Sequence, residues 1–164
     1  VSKDTKDYEE ITYEGYGQFG VAIIVECATD NTTRTVANIR MHFSREDGTL
    51  GTSGSVAFMF ERKGLFKFSA ANLDLEEMEL ELIDSGLQEI WEEDGYAYIY
   101  CSFEDFGAMT KALEDKKIEI ISSELTRLPG NTIEVTPEQE QKVQALIDRL
   151  EDDDDVQSVY HNMK

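Results

Sequence analysis

Cysteine is scarce, and cationic side chains are outnumbered by anionic ones more than two to one. Only Cys27 and Cys101 occur, each inside an apolar, strand-like run. Neither a disulfide framework nor a zinc knuckle follows from such usage, and a reducing, cytosolic setting fits it. Lys and Arg total 15 against 35 Asp and Glu, for a formal charge of −20. A phosphate backbone is gripped largely by Lys and Arg that release its condensed counterions, so the chain as a whole is a poor duplex binder. Long apolar runs are missing too. The longest strictly aliphatic stretch, Val21 to Val25, is far too short for a bilayer, and the opening VSKDTKDYEE lacks the apolar core of a leader. A soluble, cytoplasmic protein with no membrane partner is expected, and a first residue of Val suggests a piece of something longer.

What is present is a globular composition, 40% apolar over 164 residues, enough for a sizeable core. Residues 8–16 and 19–28 read as strands. Residues 31–45, NTTRTVANIRMHFSR, read as a helix with Val36, Ile39 and Phe43 on one face and Arg34, Asn38, Met41 and Arg45 on the other. This stretch carries three arginines and no acid. The glycine-spaced GTLGTSG leads into SVAFMFE, residues 55–61, which reads as a strand.

The following block has a complete set of elements. Leu65 to Ser69 is strand-like, Asp74 with Glu77 opens a helix, and Gly86 closes it. LQEIWEE and YAYIYCS form a hairpin across Asp94–Gly95, Ser102 with Asp105 opens a second helix, and IEIISSEL is the last strand. Strand, helix, strand, strand, helix, strand is the ferredoxin-like order. After Pro129–Gly130 come the strand-like NTIEV, a helix capped by Thr136 with Pro137 and Gln139, and the strand VQSVYH. The flanking pieces are each strand-helix-strand and together make a second such unit. The expected fold is therefore α+β, two ferredoxin-like domains, one inserted into the other: residues 1–64 plus 130–164, and residues 65–129. Charge is distributed unevenly, −3 over residues 1–66, −11 over 67–130 and −6 over 131–164.

No enzyme is indicated. GYGQFG has the GxGxxG spacing at Gly15, Gly17 and Gly20, but a β-branched run follows it where a helix N-terminus would be needed. It reads as a hairpin connection. DFG at residues 105–107 has no accompanying kinase motif, and GTLGTSG lacks the Gly-Lys-Ser/Thr ending of a phosphate loop. That loop is either a mobile connector or a surface of backbone amides for phosphate. A zinc site from Cys27, His42, Cys101 and His161 would need residues of both domains and is not expected, and His161 reads as a surface or edge residue. No cofactor or metal is expected. The run EDDDD, residues 151–155, sits at a helix C-terminus, where the macrodipole disfavours negative charge. It is a solvated turn or a dock for a basic partner.

YEGYGQFGVAIIVECATDN, TRTVANIRMHFS, GTLGTSGSVAFMFERKG, ELTRLPGNTIEV and LIDRLEDDDDVQSVYHN, in this order, resemble the YebC family, also called the PmpR or translational-activator-of-cytochrome-oxidase family. Gln18 and Phe19 depart from the family's usual YEGYGPGG. The resemblance implies a basic N-terminal helical domain, absent from this chain, followed by a middle and a last α+β domain. It implies a cytoplasmic, non-enzymatic regulator, DNA-binding in transcription, ribosome-associated in translation, or both. Arg34, Arg40, Arg45, Arg62 and Lys63, with Gly51 and Gly54 of the loop, are the candidate contacts to DNA or ribosomal RNA, weak for this chain alone. Alternatively these arginines pair with carboxylates of the −11 block, and the chain is an acidic module docking basic partners such as ribosomal proteins or its own N-terminal domain. Role, target and oligomeric state are not legible in the residues.

Overall fold

A computed structural model describes residues 7–164, so the opening VSKDTK read above lies outside the described residues. The elements in chain order are β1 (Glu9–Tyr16), β2 (Ala22–Thr29), α1 (Thr32–Arg45), β3 (Thr49–Leu50), β4 (Phe60–Ser69) and α2 (Leu75–Leu82). There follow β5 (Leu87–Glu93), β6 (Tyr96–Ser102), α3 (Phe106–Asp115), β7 (Ile120–Pro129), α4 (Pro137–Glu151) and β8 (Val156–His161). They make an α+β chain of two compact units, one formed by the residues up to Phe60 with Pro129–Lys164, the other by Glu61–Leu128.

The discontinuous unit has a sheet of order β3-β1-β2-β8, antiparallel at each junction. β2 is its buried centre: Ile23, Val25 and Cys27 point to one face, where Ile39 and Phe43 of α1 and Val143, Leu146, Ile147 and Leu150 of α4 close the core. The alternate residues Ala22 and Ile24 point to the other face and are covered by Val56 and Phe60. α1 starts at Asn31, whose side chain accepts from the Arg34 N–H, and α4 starts with the full reciprocal capping box of Thr136 and Gln139. Gly15 has no substitute, because a Cβ there would stand 2.5 Å from the Thr49 carbonyl oxygen on the neighbouring strand.

Two expected strands are replaced. Residues 55–59 are a turn with a short 3₁₀ stretch, not a strand, because the Val56 and Ala57 amides donate to a buried carboxylate instead of a ladder. β4 is then one continuous strand from Phe60. Residues 131–135 make only an isolated bridge, Ile133 to Met163, since both edges of β2 are already taken by β1 and β8. In the layout of this sheet β1 holds the place that the order of elements assigned to NTIEV.

The inserted unit has sheet order β5-β6-β4-β7, the ferredoxin-like arrangement. Asp94 and Gly95 both take positive φ, 54° and 86°, as a two-residue type I′ turn between β5 and β6 requires. Phe66, Phe68, Ala97, Ile99 and Cys101 pack beneath Met78 and Leu82 of α2 and Met109 and Leu113 of α3. Both helices lie on that one face. Asp74 caps α2 by accepting from the Glu76 and Glu77 amides. The expected cap by Ser102 differs: Ser102 precedes a 3₁₀ turn that leads into α3, bonds no helix amide, and its hydroxyl donates to the Asp105 carboxylate at 2.6 Å.

Candidate nucleic-acid interface

The acid-free helix α1 faces the acidic run. Thr35, Ile39, His42 and Phe43 are its buried residues, so the inward side is broader and more polar than Val36, Ile39 and Phe43 alone. Asp155, 6% exposed, receives the Thr35 hydroxyl at 2.8 Å and the Arg34 guanidinium at 3.0 Å through Nη2 and 3.4 Å through Nε. Its amide N–H in turn donates to Asp153, whose other carboxylate oxygen lies 2.8 Å from His42 Nε2. Thus two of the four consecutive aspartates are internal partners of α1. A carboxylate on α1 beside them would set like charges together at low exposure, which accounts for the helix composition. Hydrogen bonds to Asp155 first and Asp30 second raise the Arg34 pKa further. Arg34 therefore pairs inside its own unit, and not with the −11 block.

The two remaining arginines of the helix are different. Arg40 and Arg45 are exposed, and among the described residues neither has an ion-pair partner. At 100° per residue they lie about 140° apart, on either side of exposed Met41 and Ser44. The outer side of α1 is thus a cationic face with no carboxylate of its own.

The glycine loop is tied to β1 by hydrogen bonds. Glu14 of β1 is 5% exposed, and its carboxylate accepts from the amides of Gly54 at 2.7 Å, Val56 at 2.9 Å and Ala57 at 2.7 Å. The Gly51 amide donates to the Glu14 carbonyl at 2.8 Å. The amides of Gly51 and Gly54 are engaged inside the protein, which removes them as donors to phosphate. What the loop presents outward is Phe58, 76% exposed.

Arg62 and Lys63 belong to the inserted unit. The Arg62 guanidinium stacks 3.7 Å from the Phe103 ring centroid, while Lys63 is 3.5 Å from Glu61 and 5.6 Å over Tyr100. The thiols are both buried, and burial pushes Cys101 up to about 11. His161 is half-buried at the end of the edge strand β8; burial lowers its pKa, and its Nδ1 accepts the Met163 N–H at 3.1 Å. Among the described residues no three His, Cys, Asp or Glu side chains gather as metal ligands, and no helix is long and apolar enough to cross a membrane. Reasoning from residues missed Glu14, whose only signal is an acid inside a strand, and read the run that holds Asp155 as solvated or docking where Asp153 and Asp155 are internal partners of α1.

The chain matches the family described as "TACO1/YebC second and third domain" over residues 8–163. It belongs to the TACO1/YebC family. Relatives named "Probable transcriptional regulatory protein" include one from Cytophaga hutchinsonii, 53% identical over 98% of this chain and 68% of that protein. Another, from Parabacteroides distasonis, is 52% identical over 100% of the chain and 68% of its own length. A crystal structure of a conserved hypothetical protein from Aquifex aeolicus superposes with a TM-score of 0.80 at 34% identity, covering 99% of this chain and 68% of that one. The two chains therefore share an α+β fold over nearly all of this one.

Proposed function

We propose that this chain is a non-enzymatic, cytoplasmic regulator of gene expression that touches nucleic acid through the outer side of α1, with Arg40 and Arg45 as the phosphate contacts. The observation that carries the reading is that these two guanidinium groups are exposed and, among the described residues, without ion-pair partners on an acid-free helix, in a chain of charge −20. Phosphate contacts position a protein without reading sequence, and a surrounding anionic surface rejects nonspecific polymer. The names of the relatives support a transcriptional role, for which duplex DNA would supply the phosphates; ribosomal RNA offers the same phosphates, and a translation role uses the same face. In the family's terms the discontinuous unit is the second domain and the inserted unit the third.

The test is binding of the full chain to labelled duplex DNA and to ribosomes across a salt series, for wild type and the double variant Arg40→Glu/Arg45→Glu. Loss of two phosphate contacts lowers the slope of log affinity against log salt by roughly 2 on B-DNA. Unchanged slope and affinity on both targets would overturn the reading. Ribosome binding that survives the reversal but is lost when Asp152 and Asp154 are neutralised supports instead an acidic module docking a basic protein.

A further inference from the structure

The side of the inserted sheet opposite α2 and α3 bears no helix of its own unit, and its central strands place aromatic and basic side chains on it. Tyr96, Tyr98 and Tyr100 alternate along β6 with the buried Ala97, Ile99 and Cys101, so all three tyrosines share the open side. Registry puts Trp91 of β5 opposite Tyr98, and Leu65 and Lys67 of β4 opposite Tyr100 and Tyr98. The Trp91 ring stacks on Tyr98 at 5.4 Å between centroids with 13° between planes, and lies 5.0 Å from Tyr100 at 43°. Lys67 Nζ stands 4.3 Å over the Tyr96 ring and 5.9 Å over Tyr98, and Lys63 Nζ stands 5.6 Å over Tyr100. Tyr96 is 38% exposed and the other three rings are half-buried. The hydrophobic core of the unit lies on the other side, so these rings are not part of it.

We propose that this sheet face is a stacking platform for single-stranded nucleic acid. Unpaired bases bind proteins by laying their π-faces on aromatic rings displayed on a four-stranded sheet, while cations beside the rings meet the backbone. Here Trp91 and Tyr98 form one near-parallel step, Tyr96 and Tyr100 flank it along the strand, and Lys67 is the cation, Lys63 being paired with Glu61. An arriving base takes the place of an ammonium over its ring, and the released lysine reaches the phosphate of that nucleotide. Glu89 and Glu93 face Tyr100 and Tyr96 across the β5–β6 register, so the contribution from charge is small and stacking supplies most of the affinity. This site is independent of Arg40 and Arg45: it takes unpaired bases, whereas those residues take phosphates of any strand.

Trp91 is the sole tryptophan, which makes its emission a direct reporter. The experiment titrates the full chain with single-stranded RNA and DNA oligonucleotides of about eight residues and with a duplex of the same length. Saturable quenching by the single strands and much weaker quenching by the duplex is expected. Tyr98→Ala weakens single-strand binding by about 5–150-fold, the loss of one stacked base. Tyr98→Leu keeps apolar cover for Trp91 without the π-face, guards against a folding defect, and shows the same weakening. Quenching of Trp91 reads the sheet face, whereas duplex binding across the salt series reads α1, so the failure of the α1 reading and of this one are separable. Absence of quenching, quenching indifferent to both Tyr98 variants, or quenching by a basic peptide in place of the oligonucleotides would overturn the platform.

Discussion

Replacing Glu14 by Gln tests how the loop between β3 and β4 is held. In the wild type three backbone amides donate to one buried carboxylate, at 2.7, 2.9 and 2.7 Å. Hydrogen bonds to a charged acceptor contribute roughly 1.5–3 kcal/mol each, so the cluster is worth about 4.5–9 kcal/mol gross. A glutamine keeps one carbonyl oxygen for Val56 and Ala57 as neutral bonds of about 0.5–1.5 kcal/mol each and turns an N–H₂ toward the Gly54 amide, a donor against a donor. Relief from burying a charge offsets part of the difference, leaving a net cost of about 2–4 kcal/mol. Concentrated on local opening, that cost speeds exchange of the three amides by roughly 30–1000-fold, at 1.4 kcal/mol per decade. Amide hydrogen exchange resolved at Gly54, Val56 and Ala57 measures it. Unprotected amides in the wild type, or equal protection in Glu14→Gln, would refute the clamp.

The same logic applies elsewhere. Asp155→Ala removes the partner of the Thr35 hydroxyl and of Arg34, and with the half-exposed Arg34 discounted it costs about 2–3 kcal/mol in urea unfolding, against less than about 0.5 kcal/mol for exposed Asp154→Ala; equal costs would contradict the internal role of the run. Because burial lowers the folded-state pKa of His161, the unfolded chain takes up the proton first as pH falls through 6.5, so that contribution to stability is present at neutral pH, declines below the unfolded value, and levels off under the folded one. Wild type therefore loses more melting temperature than His161→Gln between pH 7.5 and 5.5, and parallel losses would sink the assignment. Ellman's reagent at pH 8 leaves Cys27 and Cys101 unmodified in the folded chain and titrates both in guanidinium, whereas fast native reaction of either would show the cores are not closed.

Where local chemistry was strong, the residues alone told the structure. The Asp94–Gly95 turn, the Thr136-Pro137-Gln139 cap and the alternation of YAYIYC are decided within a few residues of themselves, and each stands as its pattern implied. SVAFMFE was misread because its β propensity lost to a carboxylate about forty residues away, a competition invisible to any local window. NTIEV was misread for a related reason: it has the composition of a strand but finds no open partner. Arg34 was indistinguishable in sequence from Arg40 and Arg45, since only the return of the chain at Asp155 separates a paired guanidinium from an unpaired one. YAYIYCS was legible only as a strand of a hairpin, and it took the register to set Trp91 and Lys67 beside its tyrosines.

The seam between β2 and β8 also sets a timetable for biosynthesis. Thr29 leaves the ribosome long before Val156 is made, and at 5–20 residues per second the wait is roughly 6–25 s. During it the hairpin of β1 and β2 has neither its last neighbour nor the apolar side of α4, while Glu61–Leu128 is a contiguous segment with every element of its own sheet already synthesised. The insert is therefore placed to mature first, and its host to close only once Pro129–Lys164 has emerged.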